Sequence, residues 1–333
     1  METEAPAFFF ELLGESGSLP LAEAAGCVAA EAGGRGISSS GPGYAIARFP
    51  PEALGGIASR IGLTHAIGRL IGSYGPGEEP RIDASAVSGC TFAIRAKRFG
   101  GMMKDVDSQK LIRDAGAILS KGGDVDLRDP EATVRMLMSD RVYLYLEERA
   151  VEKNLLEKRK VGERPFFSPI SLHPKYARAL INLTGVRRGG TVLDPFCGTG
   201  GVAIEAAEMG MRAIASDFDE EMVIGCRENM DFYGLRLADF DAVDIGDIPE
   251  RFGPVDAVAT DPPYGRSTKT GGEDVSSIYL RAMRAISDAL APGGRAGIIF
   301  PRAMDPGPMR LDSVHEQRVH GSLSRHYHAF SKI

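Results

Sequence analysis

Tryptophan is absent from this 333-residue chain, and cysteine is scarce: Cys27, Cys90, Cys197 and Cys226 are all there is. Their spacing builds neither a zinc ribbon nor a paired disulfide framework, so a reducing compartment, the cytoplasm, is the expected location. An excess of positive charge is also missing, since 39 Lys and Arg against 45 Asp and Glu give a net charge of -6. A non-specific polyanion binder is basic overall, so nucleic-acid contact here has to come from local patches. Apolar runs such as residues 296–300 fall far short of the roughly 20 residues that span a bilayer. The start, Met1-Glu2-Thr3-Glu4, lacks the basic opening of a signal peptide. No membrane association and no obligate protein partner are therefore expected. His315, His320, His326 and His328 alternate along a candidate hairpin, which scatters their rings over two faces and argues against a metal site.

What is present is the mix of a folded protein, 43% hydrophobic and 25% charged, in a length that suits about two domains. Up to about residue 150, strands are expected over 6–13, 44–49, 91–98 and 141–148. Helices are expected over 21–32, 51–60 and 108–121, with glycine-rich loops over 33–43 and 75–80. Residues 91–98 alternate as a half-buried strand that turns Arg95, Lys97 and Arg98 outward, where they suit phosphate contact. The charged run 147–164 reads as an exposed, flexible connection. We place the boundaries at 1–45 for a small N-terminal part, 46–150 for a second domain, 151–164 for a linker and 165–333 for a third.

From residue 165 onward strands alternate with helices, the signature of a parallel, doubly wound α/β sheet. Strands are expected over 191–196, 212–216, 255–260 and 295–300, and helices over 201–209, 219–233 and 276–290. Segments 315–319 and 325–330, joined by Gly321-Ser322, form a terminal antiparallel hairpin.

Two motifs in this half carry chemistry. Asp194-Pro195-Phe196-Cys197-Gly198-Thr199-Gly200-Gly201 follows a strand and opens a helix, where glycines let backbone N–H groups approach a ligand. Gly198, Gly200 and Ala203 also satisfy the dinucleotide spacing, so the loop alone admits NAD. Asp194 argues the other way: a carboxylate repels pyrophosphate but suits the cationic sulfonium and amino groups of S-adenosylmethionine. Asp217, with Phe218 beside it, ends the next strand, where a carboxylate can accept from both ribose hydroxyls. Asp244 is the candidate for the adenine amine, with Asp247 as a rival.

The second motif, Asp261-Pro262-Pro263-Tyr264, ends the fourth strand. Consecutive prolines stiffen the turn and remove two donors, leaving carbonyl acceptors. The Asp261 carboxylate and the Pro262 carbonyl suit the two hydrogens of an exocyclic amine, with Tyr264 stacked on the base. Held so, the amine's lone pair is presented to a methyl group, and Asp261 can take the released proton. Guanine sets N1–H and N2–H side by side against such an acceptor-only group. Arg266, in the loop that follows, is a candidate phosphate contact. The sequence leaves room for an NAD-dependent oxidoreductase, for another exocyclic amine as substrate, and for a non-catalytic RNA-binding protein.

Together the two motifs, the second continued through Gly265-Arg266-Ser267-Thr268, resemble the archaeal tRNA guanine N2-methyltransferases that modify guanosine at position ten. The segment Arg164-Pro165-Phe166-Phe167-Ser168-Pro169, with His173-Pro174-Lys175 and residues 178–183, is similar to the one preceding their catalytic domain, and residues 320–325 to their terminal hairpin. Residues 92–98 and 126–131 resemble the THUMP domain, a tRNA-binding module. The resemblance implies a Rossmann-like methyltransferase domain with a terminal hairpin, preceded by an α+β RNA-binding region. It implies transfer of one or two methyl groups from S-adenosylmethionine to guanine N2 of tRNA. Asp194, Gly198, Asp217 and Asp244 match that family's ligand-binding positions, and Asp261, Pro262 and Tyr264 its catalytic ones. The intervening Pro195, Phe196, Cys197, Thr199 and Gly200, and Phe218, complete the expected cofactor contacts.

Overall fold

The computed structural model describes residues 5–34, 36–168, 171–264, 272–305, 307–320 and 323–333, with Lys153 and His320 described by their backbone alone. Arg266, Ser267, Thr268 and the Gly321-Ser322 turn lie outside the described residues. Two compact units are interleaved along the chain. The first comprises Met1–Gly14, Ala32–Ala58 and Thr64–Val151, and the second Glu15–Glu31, Ser59–Leu63 and Glu152–Ile333.

The first unit is built on strands β1 (Ala7–Leu12), β2 (Ile37–Gly41), β3 (Tyr44–Arg48), β4 (Thr64–Tyr74), β5 (Thr91–Arg98), β6 (Asp124–Val125), β7 (Ala132–Met138) and β8 (Val142–Ala150). They form one sheet in the order β2-β3-β1-β4-β8-β7-β5-β6, parallel only where β5 meets β6 and β7. Four of these strands, β2, β4, β6 and β7, were not expected from the sequence, and two of them have a visible reason. Serine-rich β2 occupies part of the expected loop; Gly43 at φ 77° makes the tight turn that folds it onto β3. In β4, Gly68 and Gly72 interrupt the alternating pattern, and at Gly68 an added Cβ would sit 1.9 Å from the Leu146 carbonyl oxygen. Phe9, Tyr44, Tyr143 and Tyr145 stack in the core. Beside them the buried Glu11 carboxylate accepts from Tyr145 Oη at 2.7 Å and Lys97 Nζ at 2.7 Å.

In the second unit β9 (Thr191–Asp194), β10 (Arg212–Asp217), β11 (Asp239–Ala242), β12 (Val255–Thr260), β13 (Leu290–Phe300), β14 (Met309–His320) and β15 (Leu323–Lys332) are ordered β11-β10-β9-β12-β13-β15-β14. The first five are parallel to one another and β15 runs antiparallel to both β13 and β14, so the doubly wound sheet with its terminal hairpin is as expected. In chain order the helices are α1 (Leu19–Glu31), α2 (Ala53–Arg60), α3 (Ser108–Leu119), α4 (Lys153–Glu157), α5 (Pro174–Leu183), α6 (Gly201–Glu208), α7 (Glu220–Phe232), α8 (Ile248–Phe252) and α9 (Val275–Ala289).

The run 147–164 is not the exposed, flexible connection that its charge suggested. It ends β8, forms α4 and then buries Leu156, Arg159 and Arg164 in the second unit. Arg159 donates to Glu205 at 2.7 and 3.0 Å, and Arg178 donates to the same carboxylate at 2.6 Å. Burial works to raise Glu205, but the two guanidiniums outweigh it and hold the carboxyl below its ordinary range. Arg159 and Arg164 thus belong to an internal network, while Glu152, Glu157, Lys158, Lys160 and Glu163 stay exposed.

Helix α1 belongs to the second unit because its small residues let α5 approach. An added Cβ on Gly26 would stand 2.0 Å from the Asn182 carbonyl oxygen. Around that contact Glu23, fully buried, accepts from the Gly62 and Leu63 amides at 2.8 and 2.7 Å and from Asn182 Nδ2 at 3.0 Å. Arg60 Nε donates to Asn182 Oδ1 at 2.8 Å and its NH1 to Glu31 at 2.7 Å. Gly26→Ala is expected to destabilise the protein by ~1–3 kcal/mol through overpacking, read as a lower midpoint in urea unfolding.

Candidate active site

Strand order reverses between β9 and β12: β10 and β11 extend the sheet on one side, β13 on the other. The carboxyl ends of β9, β10 and β12 therefore flank one crevice, the place where open α/β sheets bind ligands. The structure brings Asp194, Asp217 and Asp261 to that crevice, one at each strand end.

Asp194 closes β9 and is buried. Its Oδ1 accepts from Thr260 Oγ1 at 2.6 Å, from the last residue of β12, and from the Phe196 amide at 3.3 Å. Burial pushes its carboxyl up to about 7, with Asp217 and Asp261 adding repulsion. The loop that follows is tightly folded: the Cys197 amide donates to Ser216 O at 2.8 Å, and Gly200 N to Cys197 O at 2.8 Å. Gly198 and Gly200 take φ of 46° and 84°, which side chains disfavour. Above Gly198 an added Cβ meets nothing within 4 Å, so the loop faces open space there; at Gly200 it would lie 2.7 Å from Cys226 Sγ. Pro195, Cys197 and Thr199 are buried and Phe196 packs half-buried on the core.

The loop is held from behind by residues that the motif reading did not single out. Asn229 Nδ2 donates to Thr199 O at 2.9 Å and to Phe166 O at 3.0 Å, while its Oδ1 accepts from Phe166 N at 2.9 Å. Arg164 NH1 donates to Ser171 Oγ at 3.0 Å and Thr199 Oγ1 at 3.3 Å. A polar residue on the inner face of α7 is the signal that could have found Asn229.

At the end of β10, Asp217 accepts from the Gly198 amide at 3.1 Å and the Asp219 amide at 3.1 Å, and burial raises its carboxyl. It thus ties the glycine loop to the start of α7. Phe218 next to it is 47% exposed, an unusual setting for a large apolar ring. Asp244 caps a short turn by accepting from the Gly246 amide at 2.8 Å and pairs with Arg281, whose NH1 donates to Glu273 at 2.7 Å. Asp247 is exposed and makes no side-chain cap.

The Asp261-Pro262-Pro263-Tyr264 turn leaves β12 directly after Thr260. Tyr264 Oη donates to Asp261 Oδ1 at 2.5 Å, and Tyr279 Oη of α9 donates to the Pro263 carbonyl at 2.9 Å. Arg325, on β15, was not anticipated as a site residue: its NH2 stands 3.8 Å from Asp261 Oδ2. Its signal is a lone cation on the face it shares with buried Tyr327 and Ala329. Among the described residues no group of three or more His, Cys, Asp or Glu could hold a metal ion, and no helix is long and apolar enough to cross a membrane.

The basic residues of β5 have internal partners. Lys97 pairs with Glu11, Arg98 donates to the Met103 and Val106 carbonyls, and Arg95, exposed, donates to Leu127 O at 3.0 Å. Lys97 thus pairs with a buried carboxylate while its own side chain stays 44% exposed, outward as the alternation suggested.

Residues 161–326 match the family model of the RMKL-like methyltransferase domain. The tRNA (guanine(10)-N2)-dimethyltransferase of Methanothermobacter thermautotrophicus is 35% identical over 328 residues, 93% of this chain and 95% of that protein. The Pyrococcus abyssi protein of the same name is 35% identical over 292 residues, covering 82% and 85%. Among solved structures, TrmN from Thermus thermophilus shares the fold with a TM-score of 0.54 at 24% identity, covering 98% of this chain and 100% of that one. SMU.472 complexed with SAH gives 0.50 at 15% identity, covering 98% of each. These relationships overturn the oxidoreductase alternative that the glycine loop alone had left open.

Folding favours the protonated form of Asp194, because the unfolded chain releases that proton in the ordinary carboxylate range. Its contribution to stability is full below about 4 and is lost as pH rises through about 7. Asp194→Asn keeps the acceptor for Thr260 and removes the titration. It is expected to unfold at a higher temperature than the wild type at pH above 7, and calorimetry is expected to show S-adenosylmethionine bound at least about tenfold more weakly, since a charge-assisted contact is stronger than a neutral one.

Proposed function

We propose that this chain, which belongs to the family of tRNA (guanine(10)-N2)-dimethyltransferases, methylates the exocyclic N2 amine of guanosine in tRNA using S-adenosylmethionine. The observation that carries the reading is the Thr260–Asp194 hydrogen bond, which fastens the acceptor turn after β12 to the glycine loop after β9. A cofactor held by one loop and a base held by the other then share one crevice.

The residues fit this cofactor. Open space above Gly198 gives access to the loop backbone, the Asp217 carboxylate at the end of β10 is the reading for the ribose hydroxyls, and the exposed Phe218 ring offers an apolar face for adenine. Asp194 supplies negative charge suited to a cationic ligand. Asp244 remains the reading for the adenine amine, which asks it to share its carboxylate with Arg281. When bound, S-adenosylmethionine supplies an electrophilic methyl group.

The protein's part is to bind and orient the amine. The Asp261 carboxylate and the Pro262 carbonyl accept its two hydrogens, and the rigid diproline backbone fixes their spacing. Tyr264 steadies the carboxylate through its hydroxyl and offers its ring to the base. Asp261 takes the proton that the methylated nitrogen releases. An acceptor-only group at this place suits guanine, whose N1–H and N2–H lie on one edge. We assign the modified position as ten and the product as the N2-methyl and N2,N2-dimethyl nucleosides, after the names of the relatives. The region 46–150 is read as the THUMP-type tRNA-binding domain, with Arg95, Lys97 and Arg98 at its basic strand and Arg266 beside the acceptor turn. Of these Arg95 has the charge most available to a phosphate.

Incubation of unmodified tRNA with protein and labelled S-adenosylmethionine is expected to yield N2-methylated guanosine at a single position. Asp261→Asn is expected to reduce transfer by about 10²- to 10⁴-fold while leaving cofactor affinity within about twofold. Full activity in that variant overturns the role given to Asp261, and label in another nucleoside overturns the substrate.

A further inference from the structure

Arg325 ends the hairpin segment of the resemblance and was given no role in the site, yet among the described residues it is the cation that reaches the acceptor carboxylate. It arrives from β15, where Arg325 lies opposite Gln317 of β14 and the next residue, His326, opposite Phe300 of β13. Its side chain is 12% exposed and its Nε is buried without a partner, while Asp261 is 19% exposed. A guanidinium buried in this way needs a nearby anion, and the carboxylate that it faces is Asp261.

We propose that Arg325 is a positioning residue that keeps Asp261 ionised and its Oδ2 turned toward the substrate amine. This rests on the reading of Asp261 as the amine acceptor. The distances are suited to the task. A tight fork of two hydrogen bonds, near 2.8 Å, would occupy the lone pairs that the amine has to use. At 3.8 Å directional hydrogen bonding has faded, whereas Coulomb attraction falls only as the inverse distance. Arg325 therefore holds the charge in place and leaves Oδ2 free, while the Tyr264 hydroxyl occupies Oδ1.

Among the described residues, the groups facing Asp261 come from several elements. Asp194 stands at the end of β9, Tyr264 in the turn itself, Tyr279 on α9, and Arg325 and Tyr327 on β15. Burial drives the Asp261 carboxyl upward, and Arg325 is the leading influence against it, followed by the Tyr264 hydrogen bond. Asp194 adds a second anion when it ionises, which makes the cation more necessary as pH rises.

The test compares wild type with Arg325→Gln and Arg325→Lys by two readouts. The first is the pH dependence of kcat/KM for methyl transfer to tRNA. The second uses protein labelled with 13C at the aspartate side-chain carboxyl, with the Asp261 resonance assigned by its loss in Asp261→Asn; this requires no turnover. In Arg325→Gln the Asp261 titration midpoint and the acid limb of the rate profile are expected to move up together by about one to three pH units, the effect of an opposite charge at this range. In Arg325→Lys both are expected to stay within about half a unit, with cofactor affinity held within about twofold in every variant. An Asp261 midpoint unchanged in Arg325→Gln overturns the proposal, as does an equal loss of rate at all pH values in both variants. If the carboxylate titration moves as expected but the wild type transfers no methyl group to tRNA guanine, the coupling stands and the functional reading falls.

Discussion

The hydrogen bond between Thr260 and Asp194 joins the two halves of the doubly wound sheet at the point where its order reverses. Everything at the crevice is referred to it. On one side it fixes the start of a glycine loop whose backbone turns are set by Gly198 and Gly200. On the other it fixes the end of β12, from which the diproline turn departs with little freedom of its own. Two loops distant in sequence thus acquire a common origin, and small errors in either are not amplified across the cleft.

That arrangement gathers three carboxylates at the ends of adjacent strands. In a low-dielectric setting their mutual repulsion is not well screened, so the site is poised to accept positive charge. Each carboxylate answers to a different neighbour: Asp194 to a hydroxyl, Asp217 to backbone amides, Asp261 to a tyrosine and a guanidinium. Burial raises the carboxyl of all three, while the partners that oppose it differ from one strand end to the next.

Much of this was legible in the sequence. The parallel sheet, the hairpin and both motif loops follow from alternation and from glycine and proline at turns, because those signals are local. Residues that act across the chain were harder to see. Arg325 and Asn229 each carry only a weak local sign, a polar side chain on an inner face; the topology alone sets the first beside Asp261 and the second beneath the glycine loop. Charge misled where it was buried: Arg159 and Arg164 looked like solvated residues of a linker until their carboxylate, hydroxyl and carbonyl partners were in view. Strands β2 and β4 were masked by serine and glycine, chosen there for a tight turn and for close backbone approach rather than for strand propensity.

The interleaving of the two units has a consequence for how the protein comes into being. Glu23 and Asn182 are separated by 159 positions, so helix α1 leaves the ribosome long before the helix on which it rests. During synthesis its apolar side has no permanent home, and closure of the catalytic unit waits for distant sequence. For the same reason no single cut in the gene separates the two units, each complete. Its lineage has had to inherit the two as one piece.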